Sequence, residues 1–253
     1  MVNFLAAAAL PDTIFKVKNI RQVYSDQLSH FYVVTKKNVV EKYHVQKGFQ
    51  KQFSLKRLGE LHSIDVSSPN KVYCFFKDVG KIVILDNQLS EVGQIDLFAA
   101  GYFNIESVCR ARDNAIWIFD KADARLKKID HDGNEVFIST QLNLGNTNLY
   151  PLRMYETAKQ LVLVDSNNLV VLNNQLITSF KEKITSISKL SFFASNIIYR
   201  DTAQWVELSL TTLEKKQVLL PASKSGQEIR NVLFAGNFML VLIEDSIQVF
   251  TKD

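Results

Sequence analysis

The chain has 253 residues, of which 30 are basic and 26 acidic, so its formal charge is +4 with neutral histidines. Apolar residues make up 47% and charged residues 22% of the chain, which is typical of globular proteins and excludes bulk disorder. No segment is basic enough to indicate a nucleic-acid partner or an anionic membrane surface.

A short apolar segment, residues 1–10, opens the sequence. It is shorter than the ~18 apolar residues of a membrane span and lacks the basic start of a complete signal peptide. It is either the remnant of a signal peptide or an ordinary tail, and both interpretations stay open. We predict an N-terminal tail over 1–12, a single domain over 13–253 and no membrane span.

A repeat with a period of about 42 residues dominates the rest of the chain. Each copy has an apolar-alternating segment, a short polar turn and a second, more apolar segment. The copies begin at the anchor residues Ile20, Leu61, Ile105, Leu152, Ile187 and Ile229. Asp-Gly and Asn-rich turns between such segments favour hairpins, because these residues tolerate positive φ. Six four-stranded antiparallel sheets at this period predict an all-β, six-bladed β-propeller.

The two ends of the sequence are predicted to share one blade. The sixth copy reaches only its third strand, Ser246–Phe250, whereas Thr13–Lys18 precedes the first copy and belongs to no other. We therefore expect the N-terminal strand to complete the last blade, which removes an open sheet edge. Cys74 and Cys109 lie in apolar alternating segments, so buried free thiols are expected, although a bridge between neighbouring strands stays open.

Residues 72–91 and 114–134 carry a recurring pattern, in which a strand that ends in Asp leads to a turn and then to a second strand. Here the repeats resemble the six-bladed NHL and YVTN propellers. Residues 15–24, 58–69 and 210–221 are more closely similar to an uncharacterised propeller family of Bacteroidota, whose members usually carry an export signal. The resemblance implies export to the periplasm and supplies no activity. The fifth copy departs from the pattern, because the turn at 203–205 has no glycine.

Motifs of catalysis and metal binding are missing from the sequence. It holds no Gly-x-Ser-x-Gly, His-Glu-x-x-His, Walker A or Gly-x-Gly-x-x-Gly, and its four histidines occupy unrelated repeat positions. Residues 130–134 resemble the start of a calcium loop, but position 12 of that loop would be Gln141, so a hairpin turn is favoured. We predict no catalytic residue, no metal and no cofactor. Acidic residues end the second strands of four copies and favour turn capping: Asp120, Asp165, Asp201 and Glu244.

One column of residues is a candidate binding site. The first strands of a propeller line its central channel, and the second position of each first strand should form a ring at one mouth. These positions hold Arg21, His62, Glu106, Arg153, Ser188 and Arg230. Arginine matches carboxylates and phosphates, so the ring is either an anion-binding or acidic-side-chain site or a solvated rim in which Glu106 pairs with a neighbouring arginine.

Aromatic residues in the loops between copies add a second candidate surface. Tyr102 and Tyr150 are expected to contact a partner, because exposed aromatics beside arginines are typical of interface hot spots, whereas Phe103 is equally compatible with capping the core. The favoured function is a non-catalytic protein-interaction module of the bacterial envelope, and an accessory of outer-membrane secretion or assembly is one form of this hypothesis. The alternatives are a binder of a small anionic ligand or glycan and, less favoured, a metal-dependent lactonase-like hydrolase, since the ring carries three arginines and one carboxylate.

Overall fold

The computed structural model describes residues 10–68, 70–144, 147–202, 204–221 and 227–252. Within this part of the chain the regular structure is β strand, apart from three single-turn 3-10 segments at Lys56–Leu58, Lys77–Val79 and Ile187–Lys189. The first strand, β1, spans Thr13–Lys16 and precedes the first complete sheet.

The strands that follow form antiparallel four-stranded sheets, each a meander in chain order. Blade 1 contains β2 (Ile20–Ser25), β3 (His30–Thr35), β4 (Val39–His44) and β5 (Gly48–Ser54). Blade 2 contains β6 (Ser63–Ser68), β7 (Lys71–Phe76), β8 (Lys81–Asp86) and β9 (Glu91–Asp96). Blade 3 contains β10 (Ile105–Arg110), β11 (Ile116–Asp120), β12 (Arg125–Ile129) and β13 (Glu135–Gln141).

A two-stranded hairpin separates blades 3 and 4, and consists of β14 (Asn143–Leu144) and β15 (Thr147–Asn148). Blade 4 contains β16 (Arg153–Glu156), β17 (Gln160–Val164), β18 (Asn168–Asn173) and β19 (Thr178–Lys183). Blade 5 contains β20 (Leu190–Phe193), β21 (Asn196–Arg200), β22 (Trp205–Ser209) and β23 (Lys215–Gln217). Blade 6 contains β24 (Ile229–Ala235), β25 (Phe238–Ile243), β26 (Ser246–Thr251) and β1.

The closure predicted for the last blade is confirmed. β1 pairs with β26 in antiparallel register, from Thr13 opposite Val249 to Lys16 opposite Ser246. Next to this pairing, the carboxylate of Asp12 accepts hydrogen bonds from the main-chain N–H and the hydroxyl of Thr251, at 2.7 and 2.8 Å. Six four-stranded sheets, the last completed by the N-terminal strand, make the chain an all-β, six-bladed propeller, as the repeat predicts.

Position within a blade determines the burial of each strand. In blade 1 all residues of β3 except the first are buried, whereas β5 has none that is fully buried. Blade 2 shows the same gradient between β7 and β9. Middle strands are covered on both faces and are therefore nearly continuous in Val, Ile, Phe and Leu, whereas the outermost strands are polar and exposed.

The chain divides into two compact units. Unit 1 consists of the described residues of 1–37, 41–50 and 188–253, and unit 2 consists of those of 38–40 and 51–187. In unit 1 a core cluster joins blades 1 and 6 and includes Phe31, whose ring stacks on Tyr43 with centroids 5.0 Å apart. In unit 2, one cluster includes Phe75 and Ile118 and a second includes Phe119 and Leu163.

Both cysteines are free and buried, so of the two alternatives left open by the sequence the structure selects free thiols. Burial raises the pKa of the Cys74 and Cys109 thiols, which keeps them protonated at neutral pH. Among the described residues, no helix has the length and apolar character that crossing a membrane requires.

Candidate functional site

The predicted column of ring residues lies at the beginnings of the first strands. In unit 2, His62 directly precedes β6, Glu106 is the second residue of β10 and Arg153 is the first residue of β16. In unit 1, Arg21 and Arg230 are the second residues of β2 and β24, and Ser188 lies in a 3-10 turn just before β20. Each unit therefore carries three of the six residues. Only Arg21, Glu106 and Arg230 occupy the second position of a first strand, so the predicted position is wrong for His62, Arg153 and Ser188. Partner or anion binding by this column stays a prediction.

Two arginines of the column are hydrogen-bonded to main-chain carbonyls. The Arg153 guanidinium donates to the carbonyl of Ile187 at 3.4 Å. The Arg230 guanidinium donates to the carbonyl of Glu244 at 2.9 Å and to that of Ile20 at 3.4 Å. In both cases an acceptor is the anchor residue of another repeat, since Ile187 opens the fifth copy and Ile20 opens the first. These arginines therefore fasten one copy of the repeat to the start of another.

The ion-pair partner expected for Glu106 is wrong. Glu106 is buried, and its carboxylate pairs with Lys77 Nζ at 2.5 Å and with Lys121 Nζ at 3.7 Å rather than with an arginine. Lys77 comes from the 3-10 turn after β7, and Lys121 directly follows β11. Because two lysines flank one buried carboxylate, this point of the surface carries one net positive charge.

Tyr102 does not have the exposure that partner contact requires. Its main-chain N–H donates to the carbonyl of Leu97 at 2.7 Å, and this tight turn directs the Tyr102 side chain into the core of unit 2. The side chain is only 9% exposed, whereas its neighbour Phe103 is 67% exposed. The aromatic group that this loop presents to solvent is therefore Phe103, and the expectation that Phe103 caps the core is wrong.

Tyr150 keeps the exposure that the sequence predicts. Its side chain is 37% exposed and contacts the buried Phe119 edge to face, with ring centroids 6.2 Å apart. Lys121 Nζ lies 6.0 Å from the centre of the Tyr150 ring, at the outer limit of a cation–π contact. Lys121 thus links the Glu106 ion pair to an exposed aromatic residue.

A second exposed aromatic group is missing from the sequence-based candidates. Phe98, which follows β9, stacks on Phe103 with ring centroids 5.9 Å apart. Its ring also covers Gly80, where an added Cβ would lie 2.3 Å from a Phe98 ring carbon. Gly80 has φ of +59° and ends the 3-10 turn that carries Lys77. A glycine is required here both by the backbone conformation and by the ring.

These contacts form two groups in unit 2, the Phe98–Phe103 stack and the contacts that run from Lys77 through Glu106 and Lys121 to Tyr150. The turn from Lys77 to Gly80 connects them, because Gly80 lies under the Phe98 ring. We call the two groups together the aromatic–lysine strip. It consists of Lys77, Phe98, Phe103, Glu106, Lys121 and Tyr150. Its members come from the turns that join the second and third strands of blades 2 and 3, from segments that connect successive blades and, for Glu106, from the start of β10. Sequence analysis identified Glu106 and Tyr150. The signal for Phe98 was the aromatic loop after β9, but which loops meet depends on the packing of blades.

The turn-capping prediction is confirmed at three positions. The carboxylate of Asp120 accepts the N–H of Ala122, that of Asp165 accepts the N–H groups of Asn167 and Asn168, and that of Asp201 accepts the N–H of Thr202. Glu244 differs, because it has φ of +50° and supplies its main-chain carbonyl to Arg230. Ala203 of the glycine-free fifth turn lies outside the described residues.

The calcium-like segment at 130–134 is a hairpin turn, as predicted. Asp130 accepts the main-chain N–H groups of Asp132 and Asn134, and also the Asn134 side-chain amide. Hydrogen bonds from Asn134 lower the pKa of Asp130, which stabilises the charged form within the turn. In the described part of the chain, no group of three or more His, Cys, Asp or Glu side chains is arranged to hold a metal ion.

A buried polar cluster in unit 1 combines two histidines that the sequence left separate. The carboxylate of Asp26, in the turn after β2, accepts hydrogen bonds from His30 Nδ1 and from the Tyr32 hydroxyl, each at 3.1 Å. The His30 and His44 rings lie edge to face with centroids 5.2 Å apart. Desolvation lowers the pKa of His30 and of His44. Lys42 Nζ lies 5.5 Å from the centre of the Tyr32 ring.

The fold assigns the chain to the class of six-bladed β-propellers, and this fold does not by itself determine a function. No protein-family model and no curated protein sequence matches the chain. Solved structures do match the chain in fold. The virginiamycin B lyase from Staphylococcus aureus is 10% identical with a TM-score of 0.61, over 95% of this chain and 99% of the lyase chain.

Two eukaryotic propellers are similarly close in fold. The β-propeller domain of Cps50 (Swd1) from Myceliophteria thermophila is 8% identical with a TM-score of 0.63, over 96% of this chain and 99% of that domain. The WD40 domain of Pan2 from Neurospora crassa is 8% identical with a TM-score of 0.59, over 96% of this chain and 89% of that domain. At these identities the likeness shows the fold alone.

Proposed function

We propose that this protein is a non-catalytic interaction module, and that the aromatic–lysine strip of unit 2 binds a protein partner. The observation that carries the proposal is the exposure of the three aromatic residues of the strip, 37% for Phe98, 67% for Phe103 and 37% for Tyr150. Large aromatic side chains provide much contact area at low entropic cost, and they dominate the energetics of many protein interfaces.

The strip is also held in place, which lowers the cost of binding. The Phe98 ring lies on Gly80, the Tyr150 ring lies against buried Phe119, and the Glu106 carboxylate fixes Lys77 and Lys121. A preorganised surface loses less side-chain freedom on association than a mobile one. Rigid sheets that display binding groups on turns and connections are a common arrangement for recognition.

The charge of the strip favours a partner segment that combines apolar and acidic side chains. Lys121 is 59% exposed and lies within reach of both Glu106 and Tyr150. A carboxylate of the partner can accept from this ammonium group while an apolar side chain covers Phe98 and Phe103. Such charge complementarity mainly accelerates association and selects the partner.

The test is affinity capture from cells that make the protein, followed by mass spectrometry and titration of the purified candidate. The diagnostic variant is Phe98→Ala with Phe103→Ala, which removes the stacked pair. Ile177→Ala is the matched control, because Ile177 is also an apolar residue of unit 2 with 62% exposure. We expect one protein to be captured by the wild type and the control and to be lost with the double variant.

Two results contradict the proposal. One is a captured protein whose affinity is equal for the wild type and the Phe98/Phe103 variant. The other is the absence of any specific protein in captures where all three proteins are folded, as judged by circular dichroism. Loss of capture on reversing Arg21, Arg153 and Arg230 to glutamate, with the strip intact, would place the interface on the predicted arginines instead.

We further propose that the protein is exported to the bacterial envelope. The proposal rests on the resemblance of residues 15–24 and 58–69 to an exported propeller family and on the apolar character of residues 1–10. Fractionation of the producing cells tests it. Recovery with periplasmic markers is expected, and recovery with cytoplasmic markers would contradict it.

A further inference from the structure

A cleft of about 390 Å³ in unit 1 lies between blades 5 and 6. Its walls come from the end of β21, the start of β22, the end of β23 and the start of β24. Sites for small molecules in proteins typically have volumes of about 300–1,000 Å³, so the cleft is large enough for a small ligand. None of the residues that line it belongs to the aromatic–lysine strip.

One wall of the cleft is apolar. Trp205 is 3% exposed and Val218 is 9% exposed, and both belong to a core cluster with Phe234. Leu220 and Ile229, which are partly buried, pack against the same cluster and also line the cleft. Since these side chains are fixed by the core, the wall is a preformed surface for an apolar group of a ligand.

The remaining lining is polar and rich in hydrogen-bond donors. Arg200, Gln204, Gln217 and Gln227 also line the cleft. A guanidinium group has five N–H donors in a fork that matches a carboxylate, and each glutamine amide both donates and accepts. The set suits a ligand that has one carboxylate and at least one amide group.

The local charge is positive. Glu228, the carboxylate of the lining, pairs with Lys189 Nζ at 2.6 Å. The hydrogen bond and charge of Lys189 lower the pKa of Glu228, and the charges of Arg200 and Arg230 lower it further. Lys189 and the lining residue Arg200 therefore bring two positive charges to one carboxylate, which is already paired with Lys189. The excess positive charge favours an anionic ligand.

We propose that this cleft binds a small carboxylic acid of the N-acylated amino acid type. Arg200 binds its carboxylate, the glutamine amides bind its acyl amide, and the wall of Trp205, Val218 and Leu220 holds its apolar side chain. The site is independent of the partner surface proposed for unit 2, so either can fail without the other.

The test uses the full chain and two probes, N-acetyl-leucine and its neutral carboxamide, N-acetyl-leucinamide. The probes share the apolar side chain and the acyl amide and differ in the carboxylate alone. Binding is measured by calorimetry and by the tryptophan emission of Trp205 in a Trp117→Phe background. We expect saturable binding of the acid at millimolar concentration and at least about tenfold weaker binding of the carboxamide, the usual loss when a charged hydrogen bond is removed.

Arg200→Gln supplies the second arm, and Arg112→Gln is the matched control at an exposed arginine of unit 2. We expect Arg200→Gln to weaken binding of the acid about tenfold and Arg112→Gln to leave it unchanged. Equal binding of acid and carboxamide by the wild-type chain, or no saturable binding of the acid, overturns the proposal. The comparison of the two probes needs no variant, so it decides the question even if Arg200→Gln does not fold.

Discussion

Two sets of charged residues in this propeller have opposite environments. Arg153 and Arg230 donate to main-chain carbonyls at the start of another repeat, the fifth and the first respectively, so their guanidinium groups hold the fold together. Lys77 and Lys121 instead converge on Glu106 beside exposed aromatic rings. The comparison teaches that arginine content alone does not locate a binding surface. Two features distinguish a structural contact from a candidate interface. They are the group to which the charged side chain bonds and the presence of exposed aromatic area beside it.

The largest effect is expected from Gly80→Ala, which breaks the strip. Gly80 has φ of +59°, and an alanine Cβ would lie 2.3 Å from the Phe98 ring. Strain and displacement of the ring together should lower the free energy of unfolding by about 2–4 kcal/mol and weaken partner capture. Urea denaturation measures the first effect.

Gly93→Ala is the control for this change. An added Cβ at Gly93 would meet Ile84 Cδ1 at 3.8 Å, an ordinary contact. Its effect should stay within about 0.5 kcal/mol. Equal stability of the two alanine variants would show that the ring position of Phe98 is not fixed by Gly80.

Arg230→Leu tests whether the arginines have a structural role that is separate from partner binding. The leucine keeps apolar contact but leaves the carbonyls of Ile20 and Glu244 without their charged donor. The free energy of unfolding should fall by about 2 kcal/mol, while partner affinity through the strip is unchanged. Thermal unfolding and titration of the partner check the two parts. A variant of full stability that no longer binds the partner would contradict the structural role of Arg230.

Lys77→Met tests the ion pair of the strip. The variant leaves the buried Glu106 with only the longer 3.7 Å contact to Lys121. The free energy of unfolding should fall by about 1–2 kcal/mol, because Lys77 and Glu106 are both partly desolvated. A double-mutant cycle with Glu106→Gln isolates the coupling. The same cycle at Lys81 and Asp96, a pair with a more exposed carboxylate, should give a smaller coupling energy. Equal coupling energies for the two pairs would show that burial of Glu106 does not strengthen its ion pair with Lys77.

A fall in pH is expected to have the smallest effect on the free energy of unfolding. It should act through two histidines of unit 1 and not through the arginines or lysines compared above. The pKa of His30 and of His44 lies below the ordinary 6.5, chiefly because burial desolvates the rings, although Asp26 opposes this shift. As the pH falls, the histidines are therefore protonated in the unfolded chain before they are protonated in the folded one. Their contribution to the free energy of unfolding is complete above pH 6.5 and is lost as the pH falls through the lowered pKa values. Denaturant titrations at pH 7 and 5.5 should show this loss in the wild type and a smaller one in the His30→Gln, His44→Gln variant.

Much of the architecture could be predicted because it depends on local patterns. The alternation in Thr13–Lys18 and the missing fourth strand of the last repeat together predict the pairing of β1 with β26. Asp120 and Asp165 cap turns through bonds to residues two or three positions away, which a sequence displays directly.

The candidate site depended on contacts that a sequence does not display. Lys77 and Glu106 are 29 positions apart and meet only because neighbouring blades pack together. Tyr102 and Phe103 are adjacent, and one tight turn decides which of the two is buried. The acceptors of Arg153 and Arg230 are main-chain carbonyls, which every residue has, so no residue type marks them.

The pairing of β1 with β26 also has a consequence for the order in which the protein can form on the ribosome. Asp12 and Thr251, which bond beside that pairing, are separated by 239 residues. At a synthesis rate of roughly 5–20 residues per second, β1 waits on the order of ten to fifty seconds before its partner strand exists. During that interval blades 1 to 5 can assemble as each is completed, whereas β1 remains an unpaired strand. The sixth blade can therefore close only after the strands of the other five have been made, and a chain that stops before β26 leaves both β1 and β25 without their partner strand.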